Sequence, residues 1–421
     1  MTQNKSKLHF AWFVLIGICI MVGLGKGAMN NSAGLFLAPV AKDLGVGMGS
    51  LSLYFSVSAI VTMIFLPMGG KLLAKYDTRF VLSMAIIFQG GAFALFGLMN
   101  SVWGWYVLAI PLAMGGVFTT VIAGPVLINN WFKKHKGLAL GVMGATSGLI
   151  GAFAQPTIGS LISNQGWRQS YMMVGVAVIV IVVPFIIFFL RKSPKENGLL
   201  PLGAVKTNSG EGQSASSPEN SGISFTEAKK SAAFFSLIVF FFVITSFGSF
   251  AIHMPTYLMQ KGFDVTFVGN IMSIYMVGSL VGSLVFGIFS DKLGAKNTTL
   301  SAMFIGIVAV TLLLFFANSV IMISLAVALF GFVAASIGTL SPAITSALFG
   351  SKEYSQIFST VSMGLAIASI IALPAYGYVF DIAGSYTPVL YALIVMLIIN
   401  IVCVVIAFRS KEKMVEAGLW N

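Results

Sequence analysis

Phe10-AWFVLIGICIMVGLG-Lys26-GAM-Asn30-Asn31-SAGLFL-Ala38 decides how the rest of the chain reads. A hydrocarbon core takes about 20 apolar residues to cross as helix, and this stretch exceeds that with a single charge, Lys26, near its middle. Eleven further apolar stretches follow, at 50–73, 80–99, 103–130, 136–163, 168–190, 232–258, 265–290, 297–317, 319–345, 355–381 and 386–408. Hydrophobic residues make up 57% of the 421 and charged residues 9%. A length that suggests two or three soluble domains is overruled by this pattern. The expected fold is an all-α membrane protein with twelve transmembrane helices.

The net charge of +12 is distributed in a way that excludes a nucleic-acid binder. With the N-terminus placed in the cytoplasm, 20 of the 24 Lys and Arg residues fall on the cytoplasmic side. Only Lys42, Arg168 and Lys261 fall outside, and Lys26 lies within a span. This is the positive-inside bias, and it puts both termini in the cytoplasm. Met1 to His9 is short and polar and leads into a stretch too long for a signal core, so the first span reads as an uncleaved anchor. Cys19 and Cys403 both lie inside apolar stretches, where cysteine acts as a small apolar residue.

An offset of 217 residues brings the two halves into register. Gly45 falls on Gly262, Gly70 on Gly287, Lys75 on Lys292, Pro125 on Pro342 and Phe132 on Phe349. After one inserted residue, Pro156 falls on Pro374, Gly159 on Gly377 and Gly166 on Gly384. Gly and Pro mark bends and close approaches, so shared positions imply shared helix shapes. The chain therefore divides into an N-terminal six-helix bundle (1–191), a cytoplasmic linker (192–231) and a C-terminal six-helix bundle (232–421), as a parallel repeat. The linker centre, from Thr207 to Pro218, has flexible-linker composition, and Ile223 to Lys230 reads as a short surface helix.

The loop Gly287-Ile-Phe-Ser-Asp291-Lys292-Leu-Gly294-Ala-Lys296 resembles the loop signature of the major facilitator superfamily. Its counterpart, Gly70-Lys-Leu-Leu-Ala74-Lys75-Tyr-Asp77-Thr-Arg79, has lost the acid and the second glycine. The resemblance implies that Asp291, with Lys292, Gly287 and Gly294, forms a gating motif that caps a helix of the other half, and that no equivalent lock exists at Ala74. Trp131-Phe-Lys-Lys-His-Lys136-Gly-Leu-Ala-Leu-Gly141, Ser193-Pro-Lys-Glu-Asn-Gly-Leu-Leu-Pro201 and Asp381-Ile-Ala-Gly-Ser-Tyr386 resemble the monocarboxylate-transporter and oxalate–formate antiporter branch. Organic-anion carriers of that branch often have an arginine four residues before the loop-motif glycine, where this chain has Ser283.

All 12 acidic residues fall on loops, helix ends or tails. A lysine at bilayer depth costs about 2.5–3.5 kcal/mol and ordinarily lines a cavity or pathway. A cavity that holds Lys26 and no carboxylate is positive, which favours an anion. Asn30 lies one helical turn from Lys26 and shares its face; Asn31 adjoins it. Ser246, Ser249, His253 and Thr256 form a polar stripe, and His253 is the only histidine within a span, so it is the one embedded candidate for carrying protons. Gln155, Tyr54 and Tyr275 complete the expected substrate-binding set. The sequence shows no nucleotide loop, paired catalytic acids or metal-ligand spacing, so no cofactor, metal or enzyme activity is expected.

These features point to a multi-pass secondary transporter of the plasma membrane that moves a small organic anion, a monocarboxylate in particular, by alternating access. Its partners would be that anion, the lipid bilayer, and protons or a counter-anion, as symporter or antiporter. The alternative is a proton-coupled exporter of drugs or other amphipathic compounds, which ordinarily places an acid inside the membrane.

Overall fold

A computed structural model describes residues 9–203 and 222–419. The linker centre, 207–218, lies outside the described residues. Ten helices among the described residues are long and apolar enough to cross a membrane. They are α1 (Ala11–Leu44), α2 (Met48–Leu73), α3 (Thr78–Leu98), α4 (Val102–Trp131), α5 (Lys136–Phe189), α6 (Ala232–Gln260), α7 (Val265–Phe315), α8 (Val320–Phe349), α9 (Gln356–Ala383) and α10 (Thr387–Glu416). Helices satisfy every backbone N–H and C=O within one segment, which is what lipid demands of a spanning element.

Two of the ten are far longer than one crossing needs: α5 has 54 residues and α7 has 51. Each breaks at a glycine with non-helical backbone, Gly166 at φ 78°, ψ 162° and Gly294 at φ 78°, ψ 156°. That region of φ/ψ space is essentially reserved for glycine. The breaks fall where the sequence places the gaps 163–168 and 290–297. α1 continues to Leu44, past the expected end at 38, because Gly45 at φ 62° supplies the stop. Its repeat partner Gly262 has φ 94°, and the pair Gly166 and Gly384 has φ 78° and 65°.

Short polar residues start the helices where the chain re-enters. Asp77 accepts from the backbone N–H of Arg79 at 2.7 Å, and Asp264 from Thr266 and Phe267 at 2.9 and 3.0 Å. Such caps satisfy orphaned first-turn donors. The linker ends are pinned at repeat-related places. Leu202 N–H donates to Trp131 O at 2.8 Å, and Ile223 N–H donates to Phe349 O at 3.0 Å. A short helix, Phe225–Ala228, follows the second of these, with Ser224 as its cap.

By their contacts the residues form two compact units. The first comprises Met1–Ala33 and Val57–Gly210, the second Gly34–Ser56 and Glu211–Asn421. In the first, Phe96, Trp105, Trp167 and Tyr171 stack into an aromatic core with centroid separations of 5.5–6.2 Å. In the second, glycines let backbones meet: a Cβ on Gly331 of α8 would lie 2.2 Å from Tyr275 O of α7. Small residues at helix interfaces serve this close approach in membranes.

The second unit also holds the C-terminal part of α1 and the N-terminal part of α2 against α6 and α9. A Cβ on Gly34 would lie 2.3 Å from Ile252 O. Ser56 Oγ donates to Ile370 O at 2.5 Å. The Asp381 carboxylate accepts from Met48 N–H at 2.7 Å with one oxygen and from Gly49 N–H at 2.8 Å with the other. A carboxylate from one helix thus caps the start of another that is more than 300 residues distant in sequence.

Candidate functional site

The centre of α1 is not α-helical. Between Ala11–Val22 and Ala33–Leu44 the segment Gly23–Asn30 is a π-helix, and Asn31 N–H pairs with Lys26 O five residues back at 3.0 Å. Such segments are rare and concentrate at functional sites. Glycine spacing lets the wide turn fit. A Cβ on Gly23 would lie 2.2 Å from Ile150 Cδ1, and one on Gly27 would lie 2.5 Å from Ser147 O. These glycines are buried on α5, and Gly25 is buried on the side of Gln89 and Thr120. Lys26 and Asn30 are the exposed members of the segment. The Lys26 ammonium makes no hydrogen bond or ion pair with any described residue. It is a basic group at mid-helix with no carboxylate partner among the described residues.

Both ends of this segment are held by buried amides. Gln155, fully buried on α5, donates through Nε2 to Asn31 O at 2.8 Å. Its Nε2 is spent on the α1 backbone, while its Oε1 is buried with no hydrogen-bond partner among the described residues. Gln89, fully buried on α3, donates through Nε2 to Gly25 O at 3.1 Å and accepts from Thr119 Oγ1 at 2.5 Å. Neither Gln89 nor Thr119 stands out in the sequence reading. The signal was present, since Gln89 is an amide inside an apolar stretch like Gln155.

The first unit thus gathers Lys26, Asn30, Asn31 and Gln155 around one π segment. The other expected residues lie in the second unit. Tyr54 is buried and Tyr275 is half-buried. His253 is fully buried, with Nδ1 2.7 Å from Tyr386 Oη and Nε2 2.9 Å from Leu373 O. A carbonyl only accepts, so Nε2 carries the proton and Nδ1 accepts from Tyr386 in the neutral ring. Both nitrogens are used here, tying α6 to α9 and to Tyr386 just before α10. Asp291 and Lys292 are exposed, next to Gly294 at the break in α7. At the corresponding place in the first half, Asp77 has φ −59° and caps α3. The lost glycine is matched by a turn that does not need one. Partial burial works to raise the Asp77 carboxyl, but hydrogen bonds from Arg79 and Phe80, together with the Arg79 charge, hold it below its usual range.

Comparison with known proteins places this arrangement. A family model described as Major Facilitator Superfamily matches residues 15–269 and 237–417. YcxA of Bacillus subtilis (strain 168), an uncharacterized MFS-type transporter, is 21% identical over 433 residues, covering 98% of each chain. The oxalate:formate antiporter of Oxalobacter formigenes is 28% identical over 191 residues, which is 44% of this chain and 45% of that one. Among solved structures, a bacterial homologue of the human lysosomal transporter Spinster, in an inward-facing unoccupied conformation, superposes with a TM-score of 0.70. Sequence identity there is 13%, with 98% of this chain and 99% of the other covered, so the likeness is one of fold. The chain is a multi-pass membrane transporter and belongs to the Major Facilitator Superfamily.

Proposed function

We propose that the protein carries a small organic anion, a monocarboxylate in particular, by alternating access, with Lys26 as the charge that binds it. One observation carries this reading: Lys26 is exposed at mid-helix, unpaired, on the same strip as the exposed amide of Asn30. Leaving a cation in that position is costly, and an anion is the ligand that offsets the cost. None of the 12 carboxylates lies near the middle of an apolar stretch. This argues against a drug exporter that relies on an embedded acid. The similarity to an antiporter of two carboxylates supports the same class of cargo.

Reading α5 and α7 as two crossings each, divided at Gly166 and Gly294, gives twelve spans with both termini cytoplasmic. Lys42 and Lys261 then lie on the outer side with Asp381. In that orientation the ends of α1 and α2 packed within the second unit are the outer ends, and the Asp381 cap belongs to an outer gate. The transported anion is accompanied by a proton or exchanged for a counter-anion across the plasma membrane. A thermal-shift screen of the purified protein against organic anions and amphipathic cations tests the reading. Stabilisation by carboxylates that is lost in Lys26→Gln supports it. Stabilisation by amphipathic cations alone overturns it.

A further inference from the structure

The described residues contain two π-helical segments, Gly23–Asn30 in α1 and Val117–Ile122 in α4. Gln89 of α3 touches both. Its Nε2 donates to Gly25 O at 3.1 Å, and its Oε1 accepts from Thr119 Oγ1 at 2.5 Å. The amide orientation is fixed by chemistry, because Gly25 O can only accept. Gly25 immediately precedes Lys26, and in a π ladder its carbonyl is the partner of residue 30. One amide therefore fixes the rotational setting of Lys26 and Asn30, the two exposed residues of the π segment in α1.

There is no slack in the holder. A Cβ on Gly115 of α4 would lie 2.2 Å from Ala85 O and 2.8 Å from Gln89 N, so α3 and α4 meet backbone to backbone at this point. Gln89 is 0% exposed. A buried amide is expensive unless its partners are in place, and an apolar side chain of the same length would fill the space without that cost. The amide makes sense if the geometry it imposes is what the site needs.

We infer that Gln89, secured by Thr119, is the positioning residue that aims Lys26 at the transported anion. This rests on the reading of Lys26 as the anion-binding charge, but it can be tested separately. In a Cys19→Ala, Cys403→Ala background, Lys26→Cys reports the exposure of position 26 through its reaction rate with negatively charged 2-sulfonatoethyl methanethiosulfonate. Adding Gln89→Met should slow that rate at least about fivefold. Thr119→Val should give a smaller slowing, which Thr119→Ser restores. The rate at Lys42→Cys, on the exposed end of α1, should not change. In proteoliposomes with labelled formate, Gln89→Met should raise KM about tenfold while kcat stays within about twofold, and the KM effect should vanish when Lys26→Gln is already present.

A lower melting temperature with unchanged reactivity at position 26 makes Gln89 an ordinary packing tie and overturns the inference. Should Gln89→Met fail to fold, Thr119→Val decides the same question, since it removes the hydroxyl that secures the Gln89 amide: slowing at position 26 that Thr119→Ser restores supports the inference, and an unchanged rate overturns it. Should Lys26→Gln take up anions normally, the anion-binding reading fails, and the reaction rates still decide whether Gln89 sets position 26.

Discussion

Asp381→Asn keeps the shape of the side chain but removes its charge and turns an amide NH2 toward one of the two N–H groups it now receives. In the structure one carboxylate oxygen accepts from Met48 at 2.7 Å and the other from Gly49 at 2.8 Å, at the start of α2. Hydrogen bonds to a charged group contribute about 1.5–3 kcal/mol each when sheltered. A carboxylate at an exposed helix N-terminus contributes roughly 0.3–1 kcal/mol, reaching about 2 when partly buried. Asp381 is exposed, so the discounted total is about 1–2 kcal/mol, or a shift of about 5–30-fold between conformers with and without the contact. On the proposed alternating-access reading, the ends of α1 and α2 packed within the second unit leave α6 and α9 once per cycle. Thr256, buried beside this contact, is the reporter. With Cys19→Ala and Cys403→Ala in place, Thr256→Cys should react about 5–30-fold faster with a polar thiol reagent once Asp381→Asn is added. If the rate is unchanged while the protein remains folded, the cap does not hold this end closed.

Five further substitutions, two of them controls, separate space from backbone strain and from binding. Gly27→Ala should destabilise by about 1–3 kcal/mol, because its Cβ would meet Ser147 O at 2.5 Å; Gly144→Ala, with nothing within 4 Å, should leave the melting temperature unchanged or slightly raised. Gly294→Ala should cost about 1–3 kcal/mol despite open space around it, since φ 78°, ψ 156° strains any side chain; Gly287→Ala, also in open space, should not. His253→Phe should leave Tyr386 Oη without its partner at roughly 1–3 kcal/mol, while Leu373 O keeps its helical N–H partner. It should lower the melting temperature and leave the pH profile of uptake as it was, whereas a flattened profile would return His253 to the transport pathway.

The helices were legible because the bilayer imposes a length and a polarity on every span, and that constraint acts residue by residue. The breaks at Gly166 and Gly294 were legible for a similar reason, since a backbone that only glycine adopts leaves glycine in the sequence. Lys26 and Asn30 stood out because a charge and an amide at mid-span are costly. The π-helix that presents them was not legible. An i→i−5 register depends on how Gly23 and Gly27 meet Ile150 and Ser147, and composition does not record that contact. Gln155 was seen but its use was not, because an amide aimed at a substrate and one aimed at a carbonyl look alike in sequence. Asp381 sat at the end of an apolar stretch, as helix-capping acids do; nothing local says that the helix it caps begins at Met48.

The most direct test of the account is the affinity for an organic anion as a function of the charge at position 26. Two unit charges about 4 Å apart at an effective dielectric of about 20 interact by roughly 4 kcal/mol, of which desolvation removes part. For the anion that stabilises the protein most, Lys26→Arg should keep Kd within severalfold, Lys26→Gln should weaken it at least about tenfold, and Lys26→Glu should abolish binding. Equal affinities for wild type and Lys26→Glu would contradict the account.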